Sequence, residues 1–280
     1  MVSSVDGFYN YINERHAIYL KRSIGEAFPW TEDEILQTYS FCNVYRELDK
    51  VTVWIRENWK EPYADHPNLP FAMAVARQIN WPDTLQEIGF PEHWNPERVK
   101  AIMQGRLDRK EKVYTGAYML TGTLGGTKVE QTIDKILTPL YESPPQIVPY
   151  SLEETWKKYL PYPGFSGFMA YEVVTDLRHS KYLENADDIM TWANAGPGAK
   201  RGLNRIHGRP LEQTIKPDQL TSEMRELLDH ASIYAGSFLP TLEMREIEHC
   251  LCEYDKYERV RLGEGRPRAK FKYTGETKWL

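Results

Sequence analysis

The sequence LPYPGFSGFMAYEVVTDLRHSKYLENADDIMTWANAGPGAKR, residues 160–201, contains two turns built from glycine and proline. The first, residues 163–167, precedes an apolar helical run, and the second, residues 196–201, ends in two basic residues. A glycine turn that leads into a helix presents backbone N–H groups to an anion, and phosphate is the usual ligand. The alternative is a plain helix–helix corner, in which glycine only supplies a positive φ. Both turns are predicted to open helices, and phosphate binding at either is a hypothesis.

Composition places the chain among ordinary folded proteins. It has 280 residues, of which 41% are hydrophobic and 27% charged, enough for one large domain or two modest ones. The net charge of −5 means that any nucleic-acid site must depend on local positive charge. Three cysteines provide no disulfide framework and suit a reducing compartment. The chain has neither the apolar run of a membrane span nor the order of a signal peptide, so a cytosolic protein is expected.

Helical periodicity dominates the sequence, and no alternating β-branched run is long enough for a sheet. The predicted fold class is therefore all-α, as one compact helical unit over residues 1–280 or as two lobes, with residues 263–280 as a basic tail. One long helix is predicted over residues 33–59, with Thr31 and Glu34 as a capping box. Its polar face would carry Asn43 and Arg46; the alternative is a solvated stripe.

Two further polar clusters stand out. Between Asp188 and Glu212 the chain carries basic residues and no acid, which suits bound phosphates or, alternatively, a solvated loop. Near the other end, His249 and Cys252 share a helical face with Glu253 and Lys256. A structural zinc site needs four ligands, and no second Cys/His cluster exists, so the sequence predicts no metal site.

The turn at residues 163–167, the helix after it and the acids Asp187 and Asp188 resemble the helix-hairpin-helix DNA glycosylase superfamily. The resemblance implies a helix-hairpin-helix segment over residues 155–215 that also carries catalytic residues. In that superfamily the hairpin N–H groups hold a DNA phosphate, and an aspartate near this position serves catalysis. The turn departs from the pattern, because it reads Gly-Phe-Ser rather than Gly-Val-Gly and lacks a Schiff-base lysine.

Three stretches together resemble a narrower family. They are FCNVYRELDKVTVWI (residues 41–55), GFSGFMAYEVVTDLR with DDIMTWANAGPGAKRGLNRI (164–178 and 187–206), and REIEHCLCEYDKYERVR (245–261). They are similar to the α-glutamyl/putrescinyl thymine pyrophosphorylases, the amino acid:DNA transferases of bacteriophages. The helical domain of phage 5-hydroxymethyluracil DNA kinases is similar too. The resemblance extends over roughly residues 35–270.

This resemblance implies hypermodification of thymine-like bases in double-stranded phage DNA, in the cytoplasm of an infected bacterial host. A partner DNA kinase phosphorylates 5-hydroxymethyl-deoxyuridine, and the transferase displaces phosphate or pyrophosphate with an amino acid or polyamine. Flipping the base out of the duplex would bring its reacting carbon to the amine. No redox or pyridoxal cofactor is implied, and a divalent metal on the leaving group is compatible with the reaction. Two alternatives stay open: a glycosylase that releases a modified base, and a non-catalytic DNA-binding partner of a DNA kinase.

The residue types needed for this chemistry give three sets of candidates. Residues that could move a proton or stabilise charge are predicted to be catalytic: Asp188, Asp176, Arg46, Asn43, Glu248 and His249. Contacts to the base or to the leaving phosphate are predicted for Lys200, Arg201, Lys256, Asp49 and Trp192. DNA contacts are predicted for Gly164, Ser166, Gly167, Arg205 and Arg209. The stretches at residues 43–50 and 246–256 are expected to converge on Asp188.

Overall fold

A computed structural model describes residues 4–115 and 124–273 of the chain. Over these residues the protein is helical, and the one strand-like feature is an isolated bridge between Tyr39 and Lys270. The predicted all-α class is confirmed. No described helix is both long enough and apolar enough to cross a membrane. The chain divides into two compact units, unit 1 with residues 1–50 and 189–280, and unit 2 with residues 51–188.

Thirteen α-helices are named here in chain order, all within the described residues. They are α1 (Val5–Ser23), α2 (Glu34–Thr38), α3 (Lys50–Ile55), α4 (Leu69–Ile79), α5 (Pro82–Ile88), α6 (Pro96–Asp108), α7 (Lys128–Glu130), α8 (Thr138–Glu142), α9 (Leu152–Tyr159), α10 (Gly167–Arg178), α11 (Pro197–Ile206), α12 (Pro217–Tyr234) and α13 (Met244–Arg261). A 3₁₀ turn covers Arg46–Leu48, and π-helical turns extend α3 over Arg56–Lys60 and join α7 to α8 over Gln131–Leu137. Proline begins α5, α6, α11 and α12, where its missing N–H costs nothing.

Unit 1 is organised around α13, which packs against α1, α11 and α12. The closest approach is to α11, where two glycines face α13. A Cβ on Gly202 would lie 2.4 Å from the backbone oxygen of Leu251, and one on Gly198 would lie 2.4 Å from Cys252 Sγ. The two helices can therefore pack at this distance because residues 198 and 202 have no side chain.

The predicted helix over residues 33–59 is wrong. The chain forms α2, an extended segment, the 3₁₀ turn and α3 instead. Asp33 caps α2 by accepting hydrogen bonds from Ile35 N and Leu36 N, in place of the predicted Thr31. The break follows from competing bonds, because Asn43 N donates to Asp49 Oδ1 rather than to a helical carbonyl. The polar residues of this stretch therefore lie on a turn and not along a helical stripe.

In unit 2, α10 packs against α4 and α9. Residues 160–166 connect α9 to α10, and Gly164 adopts a φ of +76° there. A Cβ on Gly164 would lie 2.5 Å from Ile136 Cδ1, and Gln78 Nε2 donates to the Gly164 carbonyl over 3.1 Å. Glycine is thus needed at this position for both its φ and its lack of a side chain.

Candidate functional site

A turn of polar residues in unit 1 is held together by its own hydrogen bonds. Asn43 N donates to Asp49 Oδ1 (2.9 Å), and Asn43 Nδ2 donates to the Leu48 carbonyl (2.7 Å). Arg15 Nη2 donates to Asn43 Oδ1 (2.7 Å). Buried Asn43 therefore fixes the turn that carries Arg46 and Asp49.

Helix α13 presents its polar side chains to this turn. The carbonyl of Asn43 bonds to His249 Nε2 (3.1 Å), and Cys42 N donates to Glu253 Oε2 (2.9 Å). Lys256 Nζ donates to the same Glu253 oxygen (2.8 Å). We call Asn43, Arg46, Asp49, Glu248, His249, Glu253 and Lys256 the α13 polar cluster.

Two arginines give the cluster its electrostatic character. Burial raises the pKa of Glu248 to about 7, opposed by the Gly196 N–H (3.2 Å from Glu248 Oε1) and by the charges of Arg245 and Arg46. Burial also holds the pKa of His249 well below its usual value, and the same guanidinium groups lower it further. His249 is therefore a neutral imidazole at pH 7. The cluster combines a carboxyl group that can exchange a proton with cations that can bind an anion.

Arg245 was not among the sequence candidates, and its side chain is buried at 7% exposure. Within the described residues, its Nε and Nη1 have no hydrogen-bond partner, and Nη1 lies 3.9 Å from Glu246 Oε1. A buried guanidinium with unused N–H groups is costly unless a ligand completes its bonding. Arg245 precedes Glu248 by three residues and His249 by four, so the three share one face of a helix. This spacing is the sequence signal that could have identified it.

A cavity of about 260 Å³ is lined in part by Asn43 and Asp49. Arg15 also lines it, and its Nη1 has no hydrogen-bond partner within the described residues. The guanidinium carbon of Arg22 lies 5.1 Å from the ring centroid of Trp30 in the same wall. The lining suits a small ligand that carries a negative group.

Three side chains in or beside the cluster could hold a metal ion. One ligand atom each from Cys42, Asp49 and His249 lies within 4.8 Å of the other two. Cys42 is held next to α13 by the bond from its N–H to Glu253 Oε2 (2.9 Å). No sequence spacing would have paired it with His249.

Six of the predicted site residues thus meet in one place. Asn43, Arg46, Asp49, Glu248, His249 and Lys256 belong to the α13 polar cluster, linked by the hydrogen bonds above and by charge interactions of Arg46 and Lys256. Their contacts join residues about 200 positions apart, for instance the 206 positions between Asn43 and His249. The assigned catalytic and binding roles stay predictions.

The basic residues of α11 and the loop after it mostly have acidic partners. Arg201 Nε and Arg205 Nε bond to the two oxygens of buried Asp255 at 3.0 and 2.8 Å. Arg209 makes a bidentate pair with Glu223, with both bonds at 2.6 Å. Lys200 is exposed on α11. The stretch between Asp188 and Glu212 contains no acid, but these partners from other parts of the chain neutralise much of its positive charge.

Trp192 is half-buried in unit 1, in the segment that precedes α11. Its predicted stacking on a base stays a prediction. The remaining sequence candidates belong to unit 2.

The unit 2 candidates have structural contacts. Asp188 caps α9, because its carboxylate accepts from Ser151 Oγ (2.7 Å), Leu152 N (2.7 Å) and Glu153 N (3.0 Å). Asp176 forms a buried bidentate ion pair with Arg77. Their catalytic roles, and the convergence of unit 1 residues on Asp188, stay predictions.

The predicted DNA contacts of unit 2 lie at the turn before α10. Gly164 has the positive φ and close packing described above, and Ser166 precedes α10 as its N-cap residue without a side-chain capping bond. Gly167 begins the helix, and its carbonyl accepts from Trp156 Nε1 (2.9 Å). Helices α9 and α10 flank this turn, while the helix-hairpin-helix segment over residues 155–215 and its role in DNA binding stay predictions.

Comparison with known proteins gives the family. The chain matches the family model "5-hmdU DNA kinase, helical domain" over residues 2–266. A 5-hmdU DNA kinase of Bacillus phage SP10 is 26% identical over 294 residues, which cover 90% of this chain and 44% of the phage protein. The chain thus spans less than half the length of that relative, and no solved structure matches it. The expected relation to the kinase helical domain is confirmed, and the chain belongs to the family of 5-hmdU DNA kinase helical domains.

Proposed function

We propose that this protein is a transferase of phage DNA hypermodification. It would replace the phosphate or pyrophosphate on phosphorylated 5-hydroxymethyl-deoxyuridine in double-stranded DNA with an amine. The observation that carries the proposal is that Glu248 of the α13 polar cluster lies within the electrostatic influence of Arg46 and Arg245, in a chain of this family. The family match supports the hydroxymethyluracil substrate, and the residue chemistry supports the transfer.

The leaving group is a dense anion, so its departure needs positive charge that is already in place. Arg245 offers unused N–H groups from a buried side chain, and Arg46 is also buried and, like Arg245, interacts electrostatically with Glu248. Both guanidinium groups would bind the phosphate oxygens as negative charge develops on them. Lys256 and Lys200 would add charge from the neighbouring surface.

The incoming amine must lose a proton, and Glu248 is the group that we assign to accept it. Its Oε1 accepts a hydrogen bond from Gly196 N–H, and we assign Oε2 as the atom that would take the proton. In the step, the amine nitrogen bonds to the exocyclic methylene carbon as the carbon–oxygen bond to the phosphate breaks. The electron pair leaves with the phosphate, and the nitrogen's proton passes to the Glu248 carboxylate. The cavity beside Asn43 would hold the rest of the amine donor.

The test is mass spectrometry of nucleosides released from hydroxymethyluracil DNA after treatment with a DNA kinase, ATP, this protein and a panel of amines. We expect a nucleoside heavier by the amine and free phosphate or pyrophosphate. Glu248→Gln and Arg245→Gln should each lower transfer at least tenfold. Glu226→Gln and Arg225→Gln on exposed positions of α12 are the matched controls and should transfer at the unmodified rate. Equal rates in all four variants would show that the site is wrongly placed.

A second candidate function has one observation in its favour. The chain corresponds to only 44% of a protein named as a kinase, so the domain could serve that enzyme by binding DNA without chemistry of its own. This candidate predicts salt-dependent DNA binding and no new nucleoside with any amine. Loss of the base to give abasic sites would instead indicate the glycosylase alternative.

A further inference from the structure

We propose that Cys42, Asp49 and His249 form a binding site for a divalent transition metal, with Zn²⁺ as the expected ion. One ligand atom from each lies within 4.8 Å of the other two. Ligands at tetrahedral zinc, with bonds of about 2.0–2.3 Å, lie about 3.3–3.8 Å apart. The three side chains would therefore need to move by no more than about 1 Å, which a small χ adjustment supplies.

The hydrogen bonds around these side chains leave one ligand atom available on each. A backbone carbonyl can only accept, so the contact of His249 Nε2 with the Asn43 carbonyl (3.1 Å) puts the proton on Nε2. The lone pair of His249 is then on Nδ1. Asp49 Oδ1 is occupied by Asn43 N–H (2.9 Å), which leaves Oδ2. Metal-bound histidines and carboxylates are usually oriented by such outer contacts.

The same residue, Asn43, thus orients two of the three ligands through its own N–H and C=O. The third ligand is positioned next to it, because Cys42 N donates to Glu253 Oε2 (2.9 Å). All three groups are half-buried, so an ion can reach them while their geometry stays fixed. This is a pre-arranged set of ligands rather than an accidental group of surface acids.

The donor types decide which ion fits. One sulfur, one nitrogen and one oxygen suit Zn²⁺ and disfavour Mg²⁺ and Ca²⁺, which take oxygen ligands. The Cys42 thiol would bind as thiolate and release one proton to solvent. Thiolate and carboxylate together balance the two positive charges of the ion. Three protein ligands leave a fourth position for water or for an oxygen of a bound anion.

The experiment measures metal binding by the full chain without reference to transfer activity. The protein is loaded with Zn²⁺ and desalted, and its metal content is determined by mass spectrometry. We expect about one zinc per chain. Cys42→Ser and Asp49→Asn should each weaken zinc binding by at least about 10–100-fold, the loss that is typical when a residue hydrogen-bonded to a metal ligand is replaced. Cys252→Ser, at an exposed cysteine, is the matched control and should bind zinc normally.

Cobalt substitution identifies the sulfur ligand directly. Co²⁺ should produce a thiolate-to-metal charge-transfer band in the unmodified chain and in Cys252→Ser, and no such band in Cys42→Ser. Circular dichroism of the apo variants tests whether they are folded, and Asp49→Asn preserves the side-chain shape. Failure to retain zinc, a cobalt band that survives in Cys42→Ser, or a band lost in Cys252→Ser would each overturn the assignment.

Discussion

Replacing Gly202 with alanine tests how closely α11 and α13 must approach to build the α13 polar cluster. The added Cβ would lie 2.4 Å from Leu251 O and 3.0 Å from Leu251 C, and both are backbone atoms that cannot rotate away. The two helices would have to separate by about 1 Å to restore a normal contact. Separation in a close-packed interior costs about 1–3 kcal/mol or more, and alanine recovers about 1 kcal/mol of helix propensity.

We therefore expect Gly202→Ala to lower the free energy of unfolding by up to about 2 kcal/mol. The corresponding fall in Tm is up to about 8 °C for a unit of this size. Transfer activity should fall with it, because Glu248 and His249 move with α13. The measurements are urea unfolding followed by circular dichroism, and the nucleoside assay at a temperature where the variant is folded.

Gly105→Ala provides the matched control, because it is the same substitution in the middle of α6. The nearest atom to the new Cβ is Arg109 Nη1 at 3.5 Å, the end of a flexible side chain. No steric clash then offsets the higher helix propensity of alanine, and the variant should be more stable than the unmodified chain by about 0.5–1 kcal/mol. If Gly202→Ala is as stable as Gly105→Ala, the close approach of the two helices is not as described.

Three further predictions concern single contacts. Asp188→Ala removes the cap of α9 and should cost about 1–2 kcal/mol of unfolding free energy in a urea titration; no loss would refute the capping role. Arg77→Met removes the guanidinium group that pairs with the buried Asp176 carboxylate, so it should cost about 3–5 kcal/mol. Lys181→Met breaks the exposed ion pair with Asp65 and should cost less than about 1 kcal/mol. Equal losses of stability in Arg77→Met and Lys181→Met would contradict the burial of the Arg77–Asp176 pair. Burial raises the pKa of Glu246 to about 7. The folded state then holds this proton more tightly than the unfolded state, so its stabilising contribution is present at acidic pH and lost as pH rises through 7. The unmodified chain should therefore lose about 1–3 kcal/mol of unfolding free energy relative to Glu246→Gln as the pH is raised from 5 to 8. If the two proteins show the same pH dependence of stability, this account of Glu246 is wrong.

Local signals in the sequence predicted much of the helical framework. Ser151 followed three residues later by Glu154 predicts a helix start, and Ser151 is the N-cap of α9, with its Oγ accepting from Glu154 N over 3.1 Å. The prolines in residues 81–114 predict two short helices, and α5 and α6 lie there. Such signals succeed because a cap or a proline acts on the backbone within one turn of itself.

The prediction of a helix over residues 33–59 was wrong because part of its backbone bonds to a side chain distant in the sequence. Its apolar residues recur at a helical period, yet Asn43 and Cys42 donate their N–H groups to Asp49 and Glu253 instead of to helical carbonyls. Asp49 is close to Asn43 in the sequence, but Glu253 is 211 positions from Cys42, so no local window contains this second partner. Side-chain acceptors from a distant helix can replace helical hydrogen bonds wherever packing brings them near.

By itself the sequence determined the all-α class, the start of α9, the division into α5 and α6, and the relation to the kinase helical domain, since these depend on local periodicity and on residue identity. The tertiary structure alone decided which charges meet. It pairs Arg201 and Arg205 with Asp255 across 54 and 50 positions, and it leaves N–H groups of buried Arg245 without a hydrogen-bond partner in the described part of the chain. Charge interactions act through space with a strength set by distance and burial, and neither quantity can be obtained from the order of residues along the chain.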